Sequence, residues 1–152
     1  MSISLFAKVM FSFSDFLRHV FTVLFFVFVV TFFLRTFVFD VYRVEGESMV
    51  PTFNDGEYLL TLNHAYRFFG HTPKVGEIVV VPHPVSDDAV VKRVAAVAGE
   101  EFAVQGDVQQ LQEEDIAVVG DNQQQSSDSR SFGLLKSSRI VSKVLFRVWP
   151  VF

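Results

Sequence analysis

Three polar sites interrupt a strongly apolar chain, and their side chains suit one kind of chemistry. Ser48 lies in Gly46-Glu47-Ser48-Met49-Val50-Pro51-Thr52, Lys92 in Val90-Val91-Lys92-Arg93-Val94, and a polar run, 120–130, reads Gly-Asp-Asn-Gln-Gln-Gln-Ser-Ser-Asp-Ser-Arg. A hydroxyl becomes a nucleophile when it is held still beside a base, with N–H groups aimed at the oxyanion that forms. Pro51 restricts its own torsion and that of Val50, and Gly46 allows close backbone approach, so the turn around Ser48 is suited to that task. The bland reading is a solvated serine in an ordinary turn.

Lys92 sits in a strand-like run, where a lysine ordinarily keeps its charge in water. Alternation puts Val90, Lys92 and Val94 on one face and Val91, Arg93 and Ala95 on the other, which does not decide between cleft and solvent. In an apolar cleft, desolvation lowers the amine's pKa and frees it to take the Ser48 proton, with Ser126 orienting it. Such a pair needs no histidine. In the third run Asp121, Asp128 and Arg130 allow a carboxylate–guanidinium network that, with Asn122, holds the segment rigid beside the base. The alternative is a flexible polar loop.

These sites need a scaffold. The chain has 152 residues, half of them hydrophobic, and 19 are Phe, most of them before residue 40. Residues 20–34 carry no charge. With their apolar flanks they predict a tilted helix over about 16–39, long enough to cross a bilayer, with Arg18 and Arg35 snorkelling at its edges. A cleaved secretory signal would end in small residues, and Leu34-Arg35-Thr36-Phe37 does not. A buried core helix would need a larger protein around it. Upstream, Ile3, Phe6, Val9, Met10, Phe13, Phe16 and Leu17 recur at helical spacing and predict an amphipathic helix at the interface. Lys8 and Arg18 before the span and Arg35 and Arg43 after it leave its orientation undecided.

Beyond the span, Gly and Pro punctuate short β-rich runs at 41–44, 57–62, 77–81, 89–97, 116–119 and 140–148. The fold predicted is mainly β: a compact, coiled antiparallel sheet in 41–152, behind an anchor in 1–40. A net charge of −4 without a basic run argues against nucleic acid as a partner. The absence of Cys excludes disulfides and a cysteine nucleophile. His64 and His71 read as loop residues, so no metal or cofactor is called for.

The runs, in this order, resemble the box motifs of the type I signal peptidases, the bacterial leader peptidases, over nearly the whole chain. Residues 46–52 match the nucleophile box, 76–81 a structural strand, 91–94 the general-base box, 120–133 the last box and 144–150 the closing Trp-Pro strand. The resemblance implies a membrane-bound serine endopeptidase with Ser48 as nucleophile and Lys92 as base. Ser126 would position Lys92, and Asp121, Asn122, Asp128 and Arg130 would brace the site. It implies removal of signal peptides from secreted preproteins after Ala-x-Ala-like sequences, through an acyl-enzyme. It further implies a single-pass protein of the cell membrane, N-terminus cytoplasmic and catalytic domain outside. Many members carry a hydroxyl residue where this chain has Gly46 and use it in the oxyanion hole, so here the Ser48 N–H would carry that role. Ala96 and Ala98 stand where a Gly and a Pro are usual, and Gln123 and Gln124 replace a common Arg-Asp pair. A groove lined by Met49, Val90 and Val91 would take the substrate as an extended strand beside 41–44 and 89–91. The apolar surface around Met49 and Phe53 would dip into the bilayer. Three other readings share these features: a Ser–Lys processing protease for pilins or conjugation, an inactive membrane-tethered binding module, and a structural single-pass subunit.

Overall fold

The computed structural model describes residues 3–63, 72–86 and 88–149, with side chains from residue 13 onward. His64, His71 and Pro150 lie outside the described residues. Contacts divide the chain into two units, Met1–Phe37 and Val38–Phe152, three residues before the boundary predicted from sequence. The first unit is one helix, α1 (Ile3–Phe33), followed by a wide turn, Leu34–Val38. The interfacial and spanning segments expected separately are therefore continuous. The run Phe13–Val38 has a mean hydropathy of 2.3, and its side chains are bare all round: Phe21, Phe26 and Phe28 are each more than two-thirds exposed. Hydrocarbon is the solvent such a surface fits, and at 1.5 Å per residue the helix is long enough to cross it.

Among the described residues the second unit has nine antiparallel strands: β1 (Phe39–Arg43), β2 (Tyr58–Asn63), β3 (Ile78–Pro82), β4 (Ala89–Val97), β5 (Glu101–Val104), β6 (Asp107–Gln110), β7 (Asp115–Val119), β8 (Leu135–Lys136) and β9 (Ser142–Trp149). Seven form one sheet in the order β1-β2-β9-β3-β4-β7-β8. Strands β5 and β6 form a separate hairpin, and a one-turn helix, α2 (Ser129–Phe132), follows the polar run. The sheet is curled. In a flat sheet β1 and β4, four steps apart, would be about 19 Å from each other. Yet the Tyr42 hydroxyl on β1 donates a hydrogen bond to the Ala89 carbonyl on β4.

Both faces of the central strands are covered, which explains the unbroken apolar run Ile78-Val79-Val80-Val81 in β3. Val80 joins Val44, Met49, Phe53, Leu59, Val91 and Val144 in one cluster, while Val79 and Val81 join Val94, Ile116, Val118, Leu135 and Ile140 in another. The β5–β6 hairpin was not foreseen. Its two-residue turn, Gln105-Gly106, has positive φ at both positions, 50° and 94°, the geometry that matches strand twist.

Leu59 is fully buried in the first cluster. Leu59→Ala should cost about 2–5 kcal/mol of stability, read as a lowered unfolding midpoint of the full-length protein in mild detergent. A change below 1 kcal/mol, on the same scale, would place Leu59 outside a packed core.

Candidate active site

Ser48 begins a tight turn between β1 and β2 and remains half-exposed, while Met49 beside it is fully buried. The turn is clamped at several points. Phe53 N–H donates to the Met49 carbonyl at 2.9 Å, Val50 N–H to the Glu47 carbonyl at 3.3 Å, and the Val50–Pro51 bond is cis. Gly46 takes φ +79°, and its N–H donates to Asp55 Oδ1 at 2.8 Å. Its amide serves the turn and is not available to an oxyanion, whereas among the described residues no acceptor holds the Ser48 N–H.

Lys92 is only 2% exposed. It stands opposite Val79 on β3 and shares a face with Val90 and Val94, so its stem lies along the second apolar cluster. Burial lowers its pKa; the Asp128 carboxylate opposes that shift, and the Arg130 guanidinium adds to it. Among the described residues no hydrogen bond joins Ser48 Oγ to Lys92 Nζ, and no ion pair captures the amine. In unliganded hydrolases such contacts are often long and tighten only when substrate binds.

The polar run wraps around Asp128. Its carboxylate is 1% exposed and accepts from Gly120 N–H (2.9 Å), Ser126 Oγ (2.7 Å) and the Arg130 amide (3.2 Å). The Arg130 guanidinium adds two bonds, from Nε at 2.8 Å and Nη2 at 2.5 Å. Burial pushes the Asp128 pKa up, but Arg130, Gly120 and Ser126 together hold it down at about 2. Because Ser126 donates its own proton to Asp128, its lone pairs are left to accept one from an amine. Asp128 also caps α2 through a reciprocal pair of bonds with Ser131. Buried Ser129 accepts from Val118 N–H at 2.9 Å, which pins α2 to β7.

The network expected among Asp121, Asp128 and Arg130 is instead two separate pairs. Asp121 is engaged by Arg93, Nε to Oδ1 at 2.8 Å and Nη2 to Oδ2 at 2.7 Å. Thr52 Oγ1 also donates to Asp121 at 2.5 Å, and Arg93 Nη1 reaches the Gly76 carbonyl at 2.9 Å. Arg93 and Thr52 were missed as site residues. The available signal was the strand alternation, which sends Arg93 to the face opposite Lys92. Asn122 fastens the loop to the Ser48 turn, its N–H donating to the Ser48 carbonyl at 2.9 Å. His83 braces Ser127, the residue after Ser126. Its Nδ1 faces the Val85 and Ser86 amides, which leaves the proton on Nε2, 3.0 Å from Ser127 Oγ.

The proposed groove is corrected too. Met49 is 0% exposed, Phe53 8% and Val91 5%, so all three are core, and Met49 and Phe53 themselves present no apolar surface to a bilayer. The turn that leaves the Ser48 hydroxyl outside sends the next side chain in. Val90 is half-buried.

Gly120 shows how closely these parts meet. A Cβ there would lie 2.3 Å from Ser126 Oγ and 2.5 Å from the Ser48 carbonyl oxygen. Gly120→Ala must therefore part the Ser48 turn from the Ser126–Asp128 arm. Reactivity of Ser48 toward an acylating probe should fall about a hundred-fold, the usual result of a displacement near 1 Å, with the circular dichroism spectrum retained. Wild-type reactivity in this variant would refute the packing.

The family model for "Signal peptidase, peptidase S26" matches residues 17–109 and 102–149, which takes in most of the helix and nearly all of the sheet. The chain is 32% identical over 149 residues to the "Probable signal peptidase I-1" of Synechocystis sp., covering 77% of this chain and 74% of that one. It is 30% identical over 164 residues to "Signal peptidase IB" of Staphylococcus aureus, covering 81% and 84% respectively. With a buried lysine, a half-exposed serine and a braced acidic arm on an antiparallel sheet behind an apolar helix, the chain belongs to the signal peptidase family, peptidase S26, and is a serine endopeptidase.

Proposed function

We propose that this chain is a membrane-bound processing enzyme that removes signal peptides from secreted preproteins after small, Ala-x-Ala-like residues, using Ser48 and Lys92. The observation that carries the reading is the buried Lys92 amine: its pKa is lowered by burial, and among the described residues no ion pair neutralises it. Neutral Lys92 takes the Ser48 proton as Oγ attacks the scissile carbonyl. The Ser48 N–H stabilises the oxyanion. Lys92 then gives its proton to the departing amine, leaving an acyl-enzyme on Ser48. A water attacks that ester, Lys92 accepts the water's proton, and Ser48 is reprotonated as the ester breaks. Ser126, held by Asp128, steers the amine.

Backbone geometry favours an extended substrate. Val94 exchanges both of its bonds on the β3 side, with Gly76 and Glu77. Alternation then turns the backbone groups of Ala89 and Val91 to the other side, where β7 pairs with β4 only from Arg93 onward. Met49 and Val91 fill the core at this point, which favours a shallow floor and small substrate side chains. The apolar helix serves as the anchor, the N-terminus lies in the cytoplasm, and the sheet domain works outside, where signal peptides emerge.

The test is cleavage of a preprotein by detergent-solubilised wild type, Ser48→Ala and Lys92→Ala. Both variants should lose at least about a hundred-fold in rate while remaining folded. The wild-type rate should rise with pH as Lys92 loses its proton and level off below the ordinary lysine value of 10.5, because burial disfavours the charged amine. Undiminished cleavage by Lys92→Ala, or fastest turnover in acid, would refute the assignment.

A further inference from the structure

Strands β1 and β4 are not neighbours in the sheet, and each has an unpaired edge facing the other. Among the described residues, β1 pairs only with β2 and, between Ala89 and Lys92, β4 pairs only with β3. A side chain spans the gap between them, the Tyr42 hydroxyl donating to the Ala89 carbonyl. That carbonyl is among the backbone groups that alternation turns to the open side. Among the described residues no backbone ladder joins these two edges.

We infer that Tyr42 is an affinity-setting residue that competes with the substrate's main chain for the Ala89 carbonyl. In the free enzyme the phenol holds that acceptor. A bound strand replaces it with a backbone N–H, and the tyrosine's bond is lost as the substrate's bond forms. Binding therefore discriminates on the ability to donate N–H at one position, independent of the side chain there. The ring is half-buried against the first apolar cluster, so it stays in place when the hydroxyl is removed. Burial, Glu45 and Asp88 all raise the phenol pKa, which keeps the group a donor under the alkaline conditions that favour a neutral Lys92. This inference rests on the reading that the chain binds preproteins as an extended strand.

The experiment measures peptide affinity without turnover, in the full-length protein carrying Ser48→Ala. A fluorescent peptide spanning a signal-peptide cleavage site is titrated against this protein with and without Tyr42→Phe. Removing the competing hydroxyl should tighten Kd about five-fold, the size of one exchanged hydrogen bond. An unchanged or weaker Kd would overturn the role of Tyr42 and leave the peptidase reading standing, while no binding in either protein would overturn both. A second measurement does not depend on the variant folding. Single N-methylation at successive peptide positions should weaken binding to the Ser48→Ala protein about five-fold at the position facing Ala89; a flat scan would overturn the inference.

Discussion

The Asp128 carboxylate is the group on which the site depends. It is buried, and a buried charge is tolerated only where donors replace its lost water. Here the donors are Gly120, Ser126 and Arg130, from both ends of the polar run. Collecting them forces 120–130 into one shape, so a segment rich in Ser, Gln and Asp becomes a rigid part. The carboxylate remains ionised, its pKa held at about 2. It also sets the electrostatic setting of Lys92. The negative charge pulls the amine toward protonation, burial pushes it away, and burial is the larger effect.

Strand β4 divides its labour between two adjacent cations. Lys92 turns to one face and is stripped of water. Arg93 turns to the other and is paired in full, with Asp121, Thr52 and Gly76 around it. Burying two charges costs less when one is neutralised by a carboxylate and the other can shed its proton. The pairing of Arg93 also ties β4 to the turn after Ser48 through Thr52, so the Lys92 strand and the Ser48 turn share one anchor point.

Much of this was readable in the residues. The run 89–97 was predicted as a strand and is β4 to the residue; 57–62 is displaced by one position at both ends, and 116–119 starts one position late. The break expected between an interfacial and a spanning helix is absent from α1, and the β5–β6 hairpin and the α2 turn were not anticipated. Gln105-Gly106 does the work of the more familiar Asn-Gly turn, and α2 is a single turn defined by one cap. Lys92 itself was ambiguous because β4 is covered on both faces, so alternation has no polar side to contrast with. Met49 was read as groove lining because nothing in the local sequence distinguishes an apolar residue pointing into a cleft from one pointing into a core. Asp121 was given the wrong arginine because its partner is 28 positions away in sequence, and no local pattern records such a pairing.

The two-residue pleat of β4 makes this site far less tolerant of changes in length than of changes in side chain. One residue added or lost between Ala89 and Lys92 would exchange the faces of positions 92 and 93, sending the guanidinium into the apolar cluster and the amine toward Asp121. Arginine cannot shed its proton there, so the error could not be relieved by titration. Exchanging one apolar residue for another beside Lys92 therefore disturbs packing alone, whereas a change in the number of residues there misplaces a charge.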